Sequence, residues 1–491
     1  MLSILLPDFR VIAPELILTA TAMIIILWEM IGRSRSHAAS ANLAFAGSFI
    51  ALAATIACWN RNISTFGDSI VLDPYASFFK VIFLAGLILS VSLSLKFVQE
   101  SGAKYHAEYY ALMVLATVGM MVMAMGRELI TIFIGLELLS MPLYILAGFF
   151  RKDILSNEAG FKYFVLGSFA TGIMLFGMSY IYGVAGSTHL QVIAKTLAQN
   201  PAAYGDKALL LGLFLVIIGF GFKISIVPFH QWTPDVYQGA PTPITAFMSA
   251  GPKAAGLAAL IRILVEGLPR MAPEWELIVS ILAVLTMTVG NLSALIQTNI
   301  KRMLAYSSIA HVGYILIAVV ASVGGRTDRA FSAVMFYMLA YTFMNIGAFG
   351  IIVFMKREGI ANENLEDFTG LSWRSPGAAL AMMVFLFSLA GIPPTAGFAA
   401  KLSVFFAAIQ GEYYWLAIIG ILNSAVAAYY YLRVVVLMYM KEPEKELGKA
   451  TSSPLLWTGI TLALVGTLYL GILPGGILEK ARLAVNILLR V

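Results

Sequence analysis

The chain has 491 residues, of which 60% are hydrophobic and only 12% charged, with a formal net charge of +6 at pH 7. No soluble core could hide this much apolar surface, and the apolar runs are continuous over about 20 residues, whereas a β-barrel would show alternation over about 10. What remains is an all-α polytopic membrane protein, in which the cationic excess sits in loops and sets orientation without implying nucleic acid.

In chain order the hydropathy pattern predicts about fourteen transmembrane helices: Val11–Ile31, Ala41–Trp59, Tyr75–Phe97, Ala107–Met125, Leu129–Phe150, Phe161–Gly183, Lys207–Val227, Ile244–Glu266, Glu274–Ile296, Lys301–Val323, Asp328–Met355, Gly377–Gln410, Tyr413–Met440 and Pro454–Leu473. No stretch is left for an extramembrane domain; the longest polar connections, such as Lys356–Ser375 and Gly186–Asp206, run about 20 residues. Val11–Ile31 is long enough to be a retained first span, with no cleavable signal pattern. Fourteen Lys and Arg lie in loops after odd-numbered spans and seven in loops after even-numbered ones. That bias predicts both termini outside the cytoplasm. Trp28, Trp59, Trp275, Trp415 and Trp457 fall near span ends, as an interfacial belt does.

Charges inside spans are the informative ones, because a lysine at the bilayer centre costs about 2.5–3.5 kcal/mol by insertion scales. The fifth span holds one charge, Glu137, too deep to reach the headgroups, with Pro142 about a turn later. Lys162, four residues after Glu158, fits either a helix-end ion pair or a functional role. Lys223 closes an apolar run and is followed by Pro228-Phe-His-Gln-Trp-Thr-Pro234, a segment no regular helix crosses intact. Broken backbone at this depth survives only when packed in protein or lining a watery cavity. His230 lies in the break, where it either caps freed backbone or takes part in a polar path. Lys253 stands alone in the next span, while Arg262 and Glu266 at its end, like Arg433 in the thirteenth, read as snorkelling or ion-paired interface residues. His311 is either a neutral histidine bonded to serine or backbone carbonyl, or a proton relay.

The twelfth span repeats the device of the seventh: Gly391-Ile-Pro393-Pro394-Thr-Ala-Gly397 breaks it and Lys401 follows. The expected organisation is residues 1–106 with helices one to three, 107–266 and 267–440 as two five-helix repeats, and 441–491 as the last helix and tail. Five is odd, so the second repeat is inverted relative to the first, each containing a broken helix, as in secondary transporters. In this arrangement Lys401 is the counterpart of Lys223 and His311 that of Glu137. Burial disfavours a charged form and a nearby opposite charge restores it, so moving such groups changes their proton affinity. The pattern points to a proton or small-cation path. The single Cys58 and the histidines 37, 106, 189, 230 and 311 show no ligand spacing, and no phosphate-loop, dinucleotide or zinc motif occurs, so no cofactor or metal is expected in this chain.

Three stretches resemble the antiporter-like membrane subunits of respiratory complex I, a family shared with Mrp-type cation/proton antiporters: Phe222–Pro241, Ile300–Gly313 and Ala390–Lys401; Gly135–Tyr144 matches as well. Within that family Lys401 resembles the N-type, the M-type having glutamate there; the lack of a long lateral helix after span fourteen separates it from the L-type, and fourteen spans favour a bacterial chain, in the inner membrane. The resemblance implies a proton-translocating, non-redox subunit of NADH-quinone oxidoreductase: Glu137 and Lys223 as a proton-handling pair, Lys253 connecting inward, His311 bridging and Lys401 at the exit or transfer side. Flavin, iron–sulfur clusters and quinone would be handled by partner subunits, and lipids and other membrane-arm subunits would be neighbours. An Mrp-type cation/proton antiporter subunit is the alternative, and a structural scaffold with vestigial lysines a third possibility.

Overall fold

The computed structural model describes residues 8–31, 37–102, 105–325, 327–356, 363–442 and 453–489. The loop cations Arg33, Arg35, Lys104, Arg326, Arg357, Lys445 and Lys449 and the tail residue Arg490 lie outside the described residues.

Long apolar segments become helices because a backbone in hydrocarbon must satisfy its own N–H and C=O groups. The N-terminal part holds α1 (Ala13–Ile31), α2 (His37–Ala57), a hairpin of β1 (Ile63–Thr65) and β2 (Ile70–Leu72) paired Ile63 to Leu72, and α3 (Pro74–Glu100). The first five-helix repeat holds α4 (His106–Met125), α5 (Leu129–Ala147), α6 (Ile154–Ala185), a short amphipathic α7 (Leu190–Gln199), α8 (Lys207–Ile224), the short α9 (Trp232–Gly239) and α10 (Thr242–Arg262) with a π-helical turn at Ile263–Gly267. The second holds α11 (Ala272–Leu295), α12 (Ile300–Ala321), α13 (Thr327–Met355), the single turn α14 (Leu371–Arg374), α15 (Pro376–Ala390), α16 (Ala396–Gln410) and α17 (Tyr414–Met440). A last span, α18 (Pro454–Ile472), and an amphipathic α19 (Gly475–Leu488) close the chain.

Thirteen of these helices, among the described residues, are long and apolar enough to cross a membrane, and the half-length pair α15 and α16 supplies one further, interrupted crossing. Caps mark many of the starts: Asp73 accepts from Ala76 N (2.7 Å) with Pro74 in the first turn of α3, and Asp153, Asp206, Asn299 and Ser453 do the same for α6, α8, α12 and α18. Because spans alternate in direction, the starts of α1 and α3, the end of α10, the hairpin, α7 and α19 all fall on one side of the bundle, here the first side.

The two repeats share a close helix crossing. A Cβ on Gly119 of α4 would lie 2.4 Å from Leu139 N, and one on Gly135 of α5 would lie 2.8 Å from Met123 N. In the second repeat Gly290 of α11 and Gly313 of α12 are equally pressed, against Ala310 N (2.7 Å) and Met287 N (2.5 Å). Only glycine permits backbones this near, so both pairs depend on it. Gly135 and Gly313 are separated by the same stretch of sequence as Lys223 and Lys401. In that register Lys253 corresponds to Tyr431, and Glu137 corresponds to Ile315. Counted at this spacing, His311 lies one turn from the residue that matches Glu137.

Burial separates helices that hydropathy cannot. Every residue of α10 is buried, and α12 and α13 nearly so, whereas α1, α6, α17 and α18 expose apolar faces outward. Trp275, expected in the interfacial belt, is buried. Arg262 does not snorkel: its side chain is wholly buried, donating to both Asp73 oxygens (3.1 and 2.9 Å), to Ala124 O (3.1 Å) and to Glu266. Arg127, counted as a loop cation, pairs with Glu266 (3.1 Å) and reaches Asp68 (3.4 Å). The cluster ties α3, the α4–α5 junction and the end of α10 together. A second buried pair, Glu15 to Lys80 (2.8 Å), joins α1 to α3.

The adjacent cations Lys301 and Arg302 are also not free loop charges. Lys301 is buried and donates to Gln238 O (2.7 Å), Ala240 O (2.9 Å) and Glu363 Oε1 (3.2 Å), so its ammonium caps the carboxyl end of α9. Arg302 holds Asp235 (2.7 Å) and Gln238 Oε1 (3.0 Å) on the same helix. The start of α12, in the second repeat, therefore clamps the half-helix that follows the first break.

Two outcomes are expected. Arg262→Leu leaves buried Asp73 without its cation and Glu266 with Arg127 alone, and should destabilise the fold by about 3–5 kcal/mol, read as loss of folded subunit in membranes and of thermal midpoint in detergent; adding Asp73→Asn should recover part of it. Lys301→Met keeps the stem but removes the ammonium, at about 1.5–3 kcal/mol for bonds to a charged group; Lys301→Arg should retain most of the stability in the same thermal assay.

Candidate functional site

Both membrane-depth breaks leave helix ends inside the protein, and both are completed by side chains. α8 ends at Ile224 because Ser225 adopts a left-handed conformation (φ 68°), and Ile226 N returns to Gly221 O (2.7 Å). Trp232 Nε1 donates to Phe222 O (3.0 Å), Val227 N to Thr286 Oγ1 (3.1 Å), and Thr233 Oγ1 to Ser225 Oγ (2.8 Å). In the second repeat Gly391 (φ 91°) ends α15, and Gly397 N donates to Ser388 Oγ (3.0 Å).

A lysine sits at each of these carboxyl ends, where the partial negative charge of unpaired carbonyls favours a cation. Lys223 lies in the last turn of α8, buried, and donates to Ser140 Oγ of α5 (2.8 Å) and Tyr163 Oη of α6 (3.2 Å). Lys401 approaches from the other side of its break: from α16 it donates back to Ala390 O, the last residue of α15 (2.8 Å), and to Ser424 Oγ of α17 (2.8 Å). Its ammonium is 5.0 Å from the Tyr314 ring centroid. Each lysine thus has a serine hydroxyl from a neighbouring helix, but Lys223 precedes its break and adds a tyrosine hydroxyl, whereas Lys401 follows its break and adds the freed carbonyl.

Between them lies α12. Lys253 of α10, with no ion-pair partner among the described residues, donates to Ser308 O (3.0 Å) and Ser308 Oγ (2.7 Å). One turn on, His311 Nδ1 is hydrogen-bonded to Tyr337 Oη of α13 (2.6 Å) and Nε2 to Tyr431 Oη of α17 (3.2 Å), and Tyr431 bonds in turn to Ser307. His311 lies within electrostatic reach of both Lys253 and Lys401. Its partners are tyrosines, not the serine or carbonyl that the sequence offered. Next to it Asn291 donates to Tyr314 Oη (2.9 Å) and accepts from Tyr430 Oη (3.0 Å). Lys253, His311 and Lys401 are therefore brought together around one helix whose polar residues, Ser307, Ser308, His311 and Tyr314, recur at helical spacing.

Glu137 occupies a different setting. It is half-buried on the face of α5 that also exposes Ile134 and Met141, with no ion-pair partner within 4 Å among the described residues. It remains within electrostatic reach of Lys223. A narrow crevice lined by Leu136, Ser140, Tyr144, Gly167, Thr171 and Lys223, with room for about one water, opens between α5, α6 and α8.

Lys162 is an ion-paired residue, to Glu158 (2.5 Å) and Asp235 (2.6 Å), and about one third exposed. Asp235 is shared with Arg302, so this cluster joins α6, α9 and α12. It stays outside the buried lysine track yet adjoins it, since the next residue, Tyr163, is the one bonded to Lys223. His230 stands in the break within reach of Lys253, with its Nδ1 buried and without a hydrogen-bond partner among the described residues. The residues missed from sequence are hydroxyls: Ser140, Tyr163, Tyr337, Ser424 and Tyr431. Their only signal was position on helices already carrying a buried charge, too common to single them out.

Residues 126–427 match the family described as NADH:quinone oxidoreductase/Mrp antiporter, TM. The chain is 49% identical to NADH-quinone oxidoreductase subunit N of Trichlorobacter lovleyi over 98% of both chains, and 43% identical to subunit N of Chloroflexus aggregans over 95% of each. Among solved structures it matches a chain of respiratory complex I from Thermus thermophilus with bound aureothin at 31% identity and TM-score 0.80, covering 95% of this chain and 98% of that one. A chain of the Mrp complex from Dietzia shares the fold at TM-score 0.83 and 20% identity, over 98% of each. This chain belongs to the NADH:quinone oxidoreductase/Mrp antiporter membrane family, in its subunit N branch.

Proposed function

We propose that this chain is a proton-translocating membrane-arm subunit of a bacterial NADH-quinone oxidoreductase, itself free of redox groups, with flavin, iron–sulfur clusters and quinone held by partner subunits. The observation that carries this is the row of buried nitrogen bases at two broken helices, each bonded to hydroxyl or carbonyl groups and none to a carboxylate within 4 Å. An ammonium so placed has acceptors to hold its protons but no fixed counter-charge, so its protonation responds to charge arriving nearby.

In this reading Glu137 is the charge that biases Lys223, and Lys223, Lys253, His311 and Lys401 carry the proton in sequence. Lys253 and His311 share α12, with Tyr431 and Tyr337 as hydroxyl bridges on either side of the imidazole. Tyr341 Oη and Asn345 Oδ1, buried without a hydrogen-bond partner among the described residues, are groups to which bridging water would bind. Lys162 and His230 act at the edge, the first positioning Asp235 and the second offering its unpartnered Nδ1 to water in the break. Both termini face away from the cytoplasm, and neighbouring membrane-arm subunits and lipid cover the outer helices. Exchange of Na⁺ or K⁺, the Mrp-type alternative, is less suited to a track whose central groups are three lysines, which repel a metal cation.

Lys223→Ala and Glu137→Gln should each abolish or strongly reduce NADH-driven proton uptake into inverted membrane vesicles while the purified complex keeps its full subunit complement. Unchanged proton uptake in Lys223→Ala would return the chain to the role of scaffold. Tyr431→Phe removes only the hydroxyl between Ser307 and His311 and should slow uptake by up to roughly 10²-fold, the low end for a positioned proton donor. A sodium gradient formed by the wild-type complex in place of a proton gradient would favour the antiporter alternative.

A further inference from the structure

On the second side of the bundle, opposite the charged cluster of Arg262, a groove of about 420 Å³ runs between α1, α4 and α5. Its walls below the rim are apolar, including Ile26, Leu112, Leu115 and Ile145, and among the described residues its lining carries one charge of each sign, Glu108 and Arg151, at the rim. Glu108 is in the first turn of α4 and Arg151 follows the end of α5, so both stand at the level where these helices leave the membrane. Leu112 and Leu115 lie about 6 and 10 Å further down α4 at 1.5 Å per residue. Neither charged residue has an ion-pair partner among the described residues. Both are exposed, as are Ile26 and Ile145.

This is the outline of an amphiphile: a head with two opposite charges and an apolar tail lying about two helical turns deep. The groove does not extend across the roughly 30 Å of the hydrocarbon core, as a partner helix would. A guanidinium binds phosphate through paired N–H donors, and a carboxylate accepts hydrogen bonds from a primary ammonium. We propose that this groove is a binding site for a phospholipid with a phosphoethanolamine headgroup, the phosphate on Arg151 and the ammonium on Glu108. A choline headgroup has no N–H to donate to Glu108, and a glycerol headgroup has no cation to place there.

The test uses the intact complex purified in mild detergent and phospholipids carrying a photoreactive group in the acyl chain, with adducts located by peptide mass spectrometry. The phosphoethanolamine probe should label the segments around Leu112–Leu115 and Ile145, and unlabelled phosphatidylethanolamine should compete roughly tenfold better than phosphatidylcholine or phosphatidylglycerol, the equivalent of one hydrogen bond to a charged group. Arg151→Gln should weaken labelling by all three probes. Glu108→Gln should erase only the preference for ethanolamine over choline. Neither residue belongs to the proton track, so NADH oxidation should persist in both variants and report intact assembly. Equal labelling by the three lipids that neither variant alters would overturn the proposal, as would protection of these segments by a partner subunit.

Discussion

An ammonium group buried at the carboxyl end of a broken helix is the interaction on which the rest of this structure depends. Hydrocarbon excludes both the charge and the unpaired backbone. Put together, each answers part of the other's need: the carbonyls left by the break accept from the lysine, and the lysine satisfies them. Lys401 on Ala390 O shows this directly, and Lys223 in the last turn of α8 shows it through the local field. The surrounding helices supply hydroxyls where a soluble protein would supply carboxylates. Ser140, Tyr163, Ser308 and Ser424 hold the protons of these lysines without neutralising them.

Such a site needs rigid surroundings, and these come from two devices of different kinds. Glycine pairs bring α4 against α5 and α11 against α12 until backbones touch, so the helices bearing Glu137 and His311 have fixed positions. Charged clusters then fasten the ends. Arg262 and Arg127 bind three carboxylates at the first side, and Lys301 with Arg302 clamps α9 at the second. The clamp spans the two repeats, so α9 answers to the start of α12 as well as to its own half. A buried ion pair by itself is weak evidence for stability, but one whose removal leaves buried partners unpaired constrains where its helices can sit.

The inverted repeat is not an exact copy, and its departures fall on the track. Lys223 and Lys401 stand on opposite sides of their breaks, the first held by two hydroxyls and the second by a hydroxyl and the freed Ala390 carbonyl. Lys253 in the first repeat has Tyr431 in its place in the second, and Tyr431 serves His311 as a hydrogen-bond partner. A symmetrical duplication would leave two similar half-paths. The substitution of tyrosine for lysine, and the shift of the titratable group by one turn along α12, make the second half differ chemically from the first, with an imidazole between hydroxyls where the first half has a half-buried carboxylate near a lysine.

From sequence alone, hydropathy and proline determined the class, the number of crossings, the two breaks and the lysines within them, because exclusion of charge and of Pro from a membrane helix is a local rule that each residue obeys wherever its neighbours lie. The same rule located Glu137, Lys253 and His311. It could not rank the helices, since α10, buried throughout, and α6, facing outward, are alike in apolar composition; which one is central depends on what packs against it. Arg262, taken for an interface residue, proved wholly enclosed, and Lys301, counted among loop cations, proved to cap α9. Pairings such as His311 with Tyr337 and Tyr431, or Arg262 with Asp73, join residues far apart in the chain and leave no periodic trace, so only the tertiary structure decided them.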